Sequence, residues 1–313
     1  MRVREESRTA CGLALAAALT TALANVAFAG SVRRTGMDFL NIPAGARPAA
    51  LGSAYTALAN DTLSLAWNPA GLASLPGREI SAMRSQWILG SQYSFLGYGI
   101  PSRTGALAGS IAVLSQGEAE ARGEDRQKIG TVKAQDRALS LGYGKKLGRW
   151  RAGVSAKLLQ SALAGYKASG FALDGGLLYP ASPSITIGFS IMNLGPGMKF
   201  LEQRDPLPLS LAAGAAWKLP GLGLSVALDL KHQPYDRKTT LSAGTEYRLA
   251  GALSLRAGYL SHLAAPASLR AHSAFAGLGA GFGVLLGGYQ FDYALVPFGP
   301  LGDAHRLSLA MRW

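Results

Sequence analysis

The chain has 313 residues, of which 49% are hydrophobic, 16% are charged and 40 are glycine. Soluble domains carry about 25% charged residues and about 7% glycine, so this chain is too apolar for an ordinary cytosolic enzyme and too rich in glycine for a helical protein. The formal net charge is +13, but the lysines and arginines are scattered and form no basic run, which argues against a nucleic-acid partner.

Residues 1–29 have the pattern of a secretory signal peptide. Three arginines precede an uncharged run over 12–23, and Ala27-Phe28-Ala29 forms a small-x-small cleavage site. A membrane anchor is the alternative, but the run is shorter than the ~20 residues of a spanning helix. The only cysteine, Cys11, lies in this segment, so the processed chain is predicted to have no disulfide, cysteine–zinc site or cysteine nucleophile.

Several later segments alternate with a period of two. Leu224, Val226 and Leu228 alternate with small and polar residues, and the final segment over 306–313 does the same. This period predicts strands with one apolar and one polar face. The uncharged run over 271–291 contains six glycines, which a helix tolerates badly. An exported, apolar chain without spanning helices can cross a membrane as a closed β-barrel.

The spacing of these segments predicts an all-β fold, a transmembrane antiparallel barrel of fourteen strands over residues 79–313. Connections of two to four residues alternate with longer ones, as in outer-membrane barrels. Short turns face the periplasm in such barrels, so both termini are expected there, and strand 14 is expected to pair with strand 1. The predicted strands are 79–86, 93–100, 104–114, 136–145, 149–160, 170–179, 184–193, 207–218, 222–231, 239–249, 252–261, 273–281, 284–293 and 304–313.

Aromatic residues fall near the strand ends, as expected for belts at the two membrane interfaces. One predicted belt contains Trp150 and Trp217, and the other contains Trp87, Tyr93, Tyr259 and Tyr293. The chain ends at Trp313, a terminal aromatic through which the barrel assembly machinery is expected to recognise the last strand. The predicted location is the bacterial outer membrane, with its lipid as a partner.

Residues 30–78 do not alternate and are predicted to form a partly helical hatch inside the lumen. Leu51, Tyr55 and Leu58 have helical spacing, which predicts a helix over 48–59 that Asn60-Asp61 ends. Asn68-Pro69-Ala70-Gly71 is a turn signal, and Asn68 is expected to be buried with its amide hydrogen-bonded. A fourteen-strand barrel has room for such a plug; a loose periplasmic domain is the alternative.

Twelve charged residues fall on the predicted inward faces, and eight of them are basic. Their most economical role is a solvated or hatch-paired wall; selectivity for anionic solutes is the functional alternative. The connection over 115–135 is polar and is predicted to be a soluble loop. The inward charges are Arg151, Lys157, Asp174, Lys218, Asp229, Lys231, Glu246, Arg248, Arg256, Asp292, Arg306 and Arg312.

Catalysis is not predicted. The four histidines fall in predicted outer loops or at the outer end of strand 14, without metal-ligand spacing, and there is no nucleophile elbow or Walker loop. His305 near Ser308 is the one pair that could serve a lipase-like reaction. We therefore expect a non-enzymatic protein with no catalytic residue, metal or cofactor.

Two stretches, Gly45 to Asp61 and Ala66 to Leu72, closely resemble the N-terminal pattern of the PorV/PorQ family, which is related to the FadL-type fatty-acid transporters. Residues 291–306 resemble that family's last hairpin. The resemblance implies a fourteen-strand barrel with an N-terminal hatch in which Tyr55, Asp61, Asn68 and Pro69 take part. Where members of that family often have Asp-Asp after the helix, this chain has Asn60-Asp61, which is a mild departure from the family pattern.

The resemblance implies two alternative functions. As in PorV and PorQ, the protein would be an accessory or shuttle in type IX-like export, with secreted cargo and secretion components as partners. As in FadL, it would be a hatch-gated channel for hydrophobic or anionic small molecules. FadL-type channels capture ligand with long outer loops, and the mostly short outer connections here favour the export role.

Overall fold

The computed structural model of the protein describes residues 35–122, 125, 127–200, 202–249, 251–261, 277–298 and 302–313. Fourteen antiparallel strands in this part of the chain close into one barrel. Its first strand, β1 (Glu79–Gln86), pairs with its last, β16 (Asp303–Arg312). The predicted fold class and closure are confirmed. The predicted signal peptide lies outside the described residues.

The elements of the chain alternate between long barrel strands and short connections. The N-terminal segment contains two one-turn α-helices, α1 (Ala46–Ala50) and α2 (Ser64–Trp67), and 3-10 turns at Asp38–Asn41 and Pro69–Ser74; further 3-10 turns lie at Ile88–Gly90 and Pro220–Leu222. A separate hairpin, β8 (Met198–Phe200) and β9 (Gln203–Asp205), lies in one connection. The other barrel strands are β2 (Gln92–Pro101), β3 (Ala106–Arg122), β4 (Lys128–Leu147), β5 (Trp150–Leu163), β6 (Tyr166–Pro180), β7 (Ile185–Leu194), β10 (Ser210–Leu219), β11 (Leu224–Gln233), β12 (Lys238–Leu249), β13 (Leu253–Leu260), β14 (Leu278–Leu286) and β15 (Tyr289–Pro297).

The outer wall of the barrel is apolar. Outward side chains such as Val154, Leu158 and Leu309 are 61%, 62% and 53% exposed, while inward positions on the same strands are small, polar or charged and mostly buried. Such a band of exposed aliphatic side chains is stable when lipid covers it. Leu224 shares the outward parity but is only 2% exposed, so it is not part of this band.

The two ends of the barrel differ in the lengths of their connections. At the end that also holds Trp313, every connection has two to four residues, such as Gly148-Arg149 and Gly287-Gly288. The opposite end carries the two longest connections, over 195–209 and 261–277, although Ala164-Gly165 there is also short. We refer to these as the short-turn end and the long-loop end.

Two predicted boundaries were wrong. The connection over 115–135 is mostly strand, because β3 and β4 continue to pair beyond their outer neighbours, with Glu118 opposite Lys133 after a bulge. The hairpin predicted over 273–293 is shifted by about five residues, and its turn is Gly287-Gly288, where both residues have positive φ.

The N-terminal segment runs through the lumen from one end to the other. The Thr35 hydroxyl donates to the Asp236 carboxylate at 3.0 Å, and the Gly36 N–H donates to the Pro206 carbonyl, both in long-loop connections. Arg78 instead exchanges backbone hydrogen bonds with Trp313 at the short-turn end. The expectation that both termini lie at the short-turn end is therefore wrong for the described N-terminal segment.

The helix predicted over 48–59 was also wrong. Helix α1 ends at Ala50, and Gly52 and Ser53 take left-handed conformations with φ of 62° and 71°. The N–H groups of Tyr55 and Thr56 donate to the Asp229 carboxylate on β11, at 2.9 and 2.7 Å. A wall carboxylate thus replaces the carbonyl acceptors that a continued helix would have used.

A belt of inward glycines lets the N-terminal segment touch the wall. Gly258 on β13 pairs with Gly244 and with Gly279 on the neighbouring strands, and all three lie against residues 49–52. A second trio, on β4 to β6, lies against residues 68–73: Gly144, Gly153 and Gly176. A Cβ at Gly258 would lie 2.1 Å from the Gly52 nitrogen. Much of the excess glycine in the composition therefore serves contact between plug and wall.

Among the described residues, the predicted aromatic belts are supported better at the short-turn end than at the long-loop end. Trp150 and Tyr179 stack on the outer surface near the short-turn end, with ring centroids 4.6 Å apart. Tyr93, predicted for the other interface, has the inward parity of β2 and is 3% exposed, so it contributes to the lumen instead. Tyr259 has the outward parity of β13 but is also only 3% exposed, so it is not an exposed member of an interface belt.

Candidate functional site

An ion-paired chain of side chains joins the N-terminal segment to the wall. Arg47, in α1, donates from Nε to Glu246 on β12 at 2.9 Å. Glu246 also faces Arg256 on β13 at 3.6 Å, and Arg256 donates to Asp292 on β15 at 2.6 Å. The predicted inward residues Glu246 and Asp292 thus meet in one network, which neutralises charges that would be costly alone in a buried lumen.

Tyr55 and Asp61 form the plug's own polar core. The Tyr55 hydroxyl donates to Asp61 Oδ2 at 2.6 Å and accepts from Arg47 at 3.2 Å. Burial, with the nearby charge of Glu79 as the next contribution, raises the pKa of Asp61 to about 6. Burial and the Asp61 carboxylate also raise the pKa of Tyr55 well above its usual value, so the hydroxyl keeps the proton that it donates.

Two wall carboxylates hold the plug by its backbone. Asp229 accepts the two N–H groups described above, while Glu79 accepts from the backbone N–H and the hydroxyl of Thr62, both at 2.8 Å. The other oxygen of Glu79 receives Arg312 Nε at 2.6 Å. Asp229 and Arg312 were predicted from their inward parity; Glu79 was not, although it shares that parity on β1.

Asn68 and Pro69 lie where the plug meets β5 and β6. Asn68 is fully buried, and its Nδ2 donates to the Thr56 carbonyl at 2.9 Å and to the Leu177 carbonyl of β6 at 3.3 Å. Its Oδ1 accepts the Ala70 N–H at 3.1 Å, and Pro69 opens the following 3-10 turn. The side chain therefore connects three separate pieces of backbone.

The remaining predicted lumen residues divide between two places. Lys157 is paired with Asp174 at 3.0 Å and with Asn193 at 2.7 Å, and Lys231 donates to Asn41 of the plug at 3.3 Å. Arg151 and Arg248 lie at the short-turn ends of β5 and β12, away from this group. Asn193 and Asn41 could not be predicted from the sequence as partners of these lysines, because neither belongs to a pattern of charged residues.

A cavity of about 560 Å³ lies on the long-loop side of the plug. Its lining includes the aromatic side chains of Phe39, Trp67, Trp87 and Phe298 and the basic side chains of Lys157 and Lys231. Its volume is within the range of small-molecule sites, about 300–1,000 Å³. The aromatic walls come from the plug and from the loops, which sequence periodicity does not place.

Arg306 is the most deeply buried cation at this cavity. It is 1% exposed, and its guanidinium lies 4.8 Å from the Trp87 ring, which in turn packs edge-on against Phe298. Its inward parity on β16 placed it in the lumen from sequence alone. The Trp87 contact was missed, because Trp87 was assigned to an interface belt.

The described residues offer no catalytic or metal constellation. His305 bonds to the Tyr293 hydroxyl on the exposed surface, whereas Ser308 points inward and accepts the Ala46 N–H, so the two lie on opposite faces and cannot act as a pair. Within the same residues, no group of three histidine, cysteine, aspartate or glutamate side chains could hold a metal ion. No helix among them is long and apolar enough to cross a membrane. His262 and His272 lie outside the described residues.

A closed barrel with an apolar exterior, filled by its own N-terminal segment, defines a plugged β-barrel of the bacterial outer-membrane type. Over residues 14–140 the sequence matches the model of an uncharacterised protein family, UPF0164. No curated protein sequence matches the chain.

The fold is similar to those of two solved transport barrels. The Pseudomonas putida toluene transporter TodX aligns with a TM-score of 0.60 at 13% identity, over 91% of this chain and 97% of that one. A Pseudomonas aeruginosa FadL homologue aligns with a TM-score of 0.57 at 10% identity, over 91% and 100%. The FadL part of the predicted relationship is thus supported at the level of fold.

Proposed function

We propose that this protein is a hatch-gated outer-membrane channel for small, largely apolar molecules. The observation that carries the proposal is the cavity of about 560 Å³, which is bounded by the plug on its inner side and by aromatic side chains. The fold-level similarity to a toluene transporter agrees with this choice. In this role, outer-membrane lipid surrounds the wall, and the plug must move before a bound molecule can leave toward the short-turn end.

A reversible tether between plug and wall tests the gating step. A Cβ at Gly97 would lie 3.1 Å from the Thr62 Cβ, close to the ~3.8 Å typical of disulfides. The only native cysteine is Cys11, so a Thr62→Cys/Gly97→Cys variant adds an isolated pair. Entry of an apolar naphthylamine dye, which fluoresces in hydrocarbon, is followed in a Gram-negative host that expresses the variant.

The reduced variant is expected to admit the dye faster than a host without the protein, and oxidation is expected to abolish the difference. Each single-cysteine variant, treated with the same oxidant, controls for loss of the Thr62 hydroxyl and for side reactions. Dye entry that does not depend on the protein, or that is unchanged by the disulfide, contradicts the proposal.

The second candidate is the export accessory role, and it rests on the resemblance of residues 45–72 to PorV and PorQ. In favour of it, β3 and β4 extend beyond their neighbours as a two-stranded ribbon with paired charges such as Glu120 and Lys128, a surface suited to a protein partner. Secreted cargo or secretion components would bind there.

Under either function, recognition of the strand ending at Trp313 by the barrel assembly machinery stays a prediction. Deletion of the ribbon separates the two functions, because it should abolish export but leave dye entry intact.

A further inference from the structure

A groove of about 820 Å³ runs along the outer wall of the barrel, across β4 to β7, β10 and β11. Outward apolar side chains such as Val154, Leu177 and Phe189, which are 61%, 42% and 48% exposed, form its sides. Its lining also includes Gly153 and Gly176, whose inward faces lie against the plug. These two glycines can border the groove only through backbone atoms, so its floor is the bare sheet.

The strand register arranges the sides of this wall groove as two rows of residues. One row starts at Tyr143 on β4 and ends at His232 on β11, and the other starts at Lys145 and ends at Leu230. The rows are two residues apart along each strand, which is about 7 Å, and they cross five strand spacings, which is about 24 Å. A helix is about 10–12 Å wide with its side chains, so the groove has the width of a single extended chain.

The chemistry of the wall groove favours a hydrocarbon chain over a polypeptide. Between the end residues of the two rows, the outward residues are aliphatic, aromatic or glycine. An extended peptide on this face of the sheet would leave its own N–H and C=O groups unpaired in hydrocarbon, which is costly. An acyl chain has no such groups.

Unpaired cations lie at the short-turn end of the wall groove. The β4–β5 hairpin carries four of them within residues 145–151, and none forms an ion pair with a carboxylate in the described part of the chain: Lys145, Lys146, Arg149 and Arg151. Lys146 and Arg151 stand directly opposite each other across the two strands, and like charges in that position repel. An anionic group bound at this end would offset the repulsion.

We propose that the wall groove and the cations of the β4–β5 hairpin bind one anionic phospholipid from the leaflet at the short-turn end. An acyl chain lies in the groove, and the phosphate lies at Lys145 and Arg149. Basic side chains next to a membrane attract anionic lipids in this way. The site is on the outer wall, so this inference does not depend on whether the lumen conducts.

Lipid titration of the purified protein in detergent, followed by native mass spectrometry, tests the site. Dioleoylphosphatidylglycerol and dioleoylphosphatidylcholine have the same acyl chains, but only the first carries a net negative charge. The wild type is expected to bind one molecule of the phosphatidylglycerol about 30-fold more tightly than the phosphatidylcholine, because two cations contribute.

One pair of variants tests the acyl-chain part of the site. Gly175→Leu places a side chain in the middle of the wall groove, where even a Cβ has nothing within 4 Å, and is expected to weaken binding of both lipids by about 10-fold or more. Ala82→Leu enlarges an exposed outward residue of β1 instead, and should bind both lipids as the wild type does.

A second pair tests the headgroup part. Lys145→Gln/Arg149→Gln is expected to abolish the preference for phosphatidylglycerol and to leave phosphatidylcholine binding unchanged. Lys218→Gln/Arg248→Gln removes two cations from the same end of the barrel, on β10 and β12, and should keep the preference.

Four results would overturn the proposal. They are equal affinity of the wild type for the two lipids, a preference that survives in Lys145→Gln/Arg149→Gln, a preference lost equally in Lys218→Gln/Arg248→Gln, and unchanged lipid binding by folded Gly175→Leu. Folding is verified by the shift between heated and unheated samples on a gel. Should Gly175→Leu not fold, Ala213→Leu narrows the same groove from β10, and unchanged binding there refutes the site.

Discussion

Gly258 lies at one of the tightest backbone contacts between plug and wall, so replacing it with alanine tests the glycine belt directly. The new Cβ would lie 2.1 Å from the Gly52 nitrogen and the Leu51 carbonyl carbon, whereas ordinary contact begins at 3.4 Å. The plug must therefore retreat by about 3.4 − 2.1 = 1.3 Å. Overpacking of this kind costs about 1–3 kcal/mol, and the neighbouring atoms are backbone, which cannot rotate away.

We expect Gly258→Ala to leave the barrel closed and to loosen the plug. A cost of 1–3 kcal/mol corresponds to about 5- to 150-fold more frequent opening. Chymotrypsin cleavage after Tyr55, followed by mass spectrometry on the purified protein, reports this opening; trypsin is unsuitable because Pro48 follows Arg47. Gly175→Ala is the control, since a Cβ there has nothing within 4 Å. Equal cleavage rates for Gly258→Ala, Gly175→Ala and wild type would show that the belt does not hold the plug.

Three other substitutions probe the plug and the wall. Asn68→Leu leaves buried backbone groups unpaired at about 1–3 kcal/mol, so the plug should be cleaved faster while the barrel stays assembled; wild-type cleavage contradicts this. Asp61→Asn should stabilise the plug at pH 7.5 by about 1–3 kcal/mol. The raised pKa of Asp61 means that the folded state binds a proton more readily than the unfolded state, so the ionised carboxylate destabilises the fold, most fully above pH 6. The stabilisation by asparagine should vanish near pH 4, and a stabilisation independent of pH in urea titrations refutes the cause. Leu228→Arg, mid-strand on the lipid face, should cost about 2–4 kcal/mol in bilayer unfolding, against about 0–1 for Leu222→Arg in a turn; equal costs contradict the register.

The barrel itself could be predicted from the sequence because each strand carries its own evidence. Alternation shows which residues share a face, and the sorted connection lengths show which strands are neighbours. Alternation continues through Glu118, Glu120 and Arg122, but the polarity of that stretch is typical of a loop. A ribbon above the membrane has water on both sides, so its strands need no apolar face.

The hairpin over 278–297 shows where periodicity fails. Its first strand alternates glycine with alanine, leucine and phenylalanine, so neither face is marked as polar and the turn cannot be placed. Gly279 and Gly281 lie against Ala49 and Ala50 of the plug, whereas Gly283 makes room for the Asp292 and Arg256 side chains. A contact with a segment more than 200 residues earlier in the chain leaves no local trace except the composition.

The plug was predictable as a segment but not in its contacts. Asn68 stood out because an asparagine before proline is a turn signal. Arg47 and Thr62 could not be recognised in the same way, because their partners, Glu246 and Glu79, depend on the path of the N-terminal segment through the barrel. The helical spacing of Leu51, Tyr55 and Leu58 was misleading, because all three are buried in one hydrophobic cluster although the chain turns at Gly52 and is not a continuous helix.

The pairing of the inward charges bears on what kind of conduit this barrel can be. A basic lining selects anions when its charges are free to act together along the lumen. Here Lys157, Arg256 and Arg312, three of the eight inward basic residues counted from the sequence, each face a carboxylate within 3.0 Å, as does Arg47 of the plug. At the cavity, Lys231 on β11 donates to the uncharged Asn41, and Arg306 on β16 lies against the Trp87 ring. Two cations on different strands beside aromatic rings favour a selective site over a lumen with a uniformly basic lining.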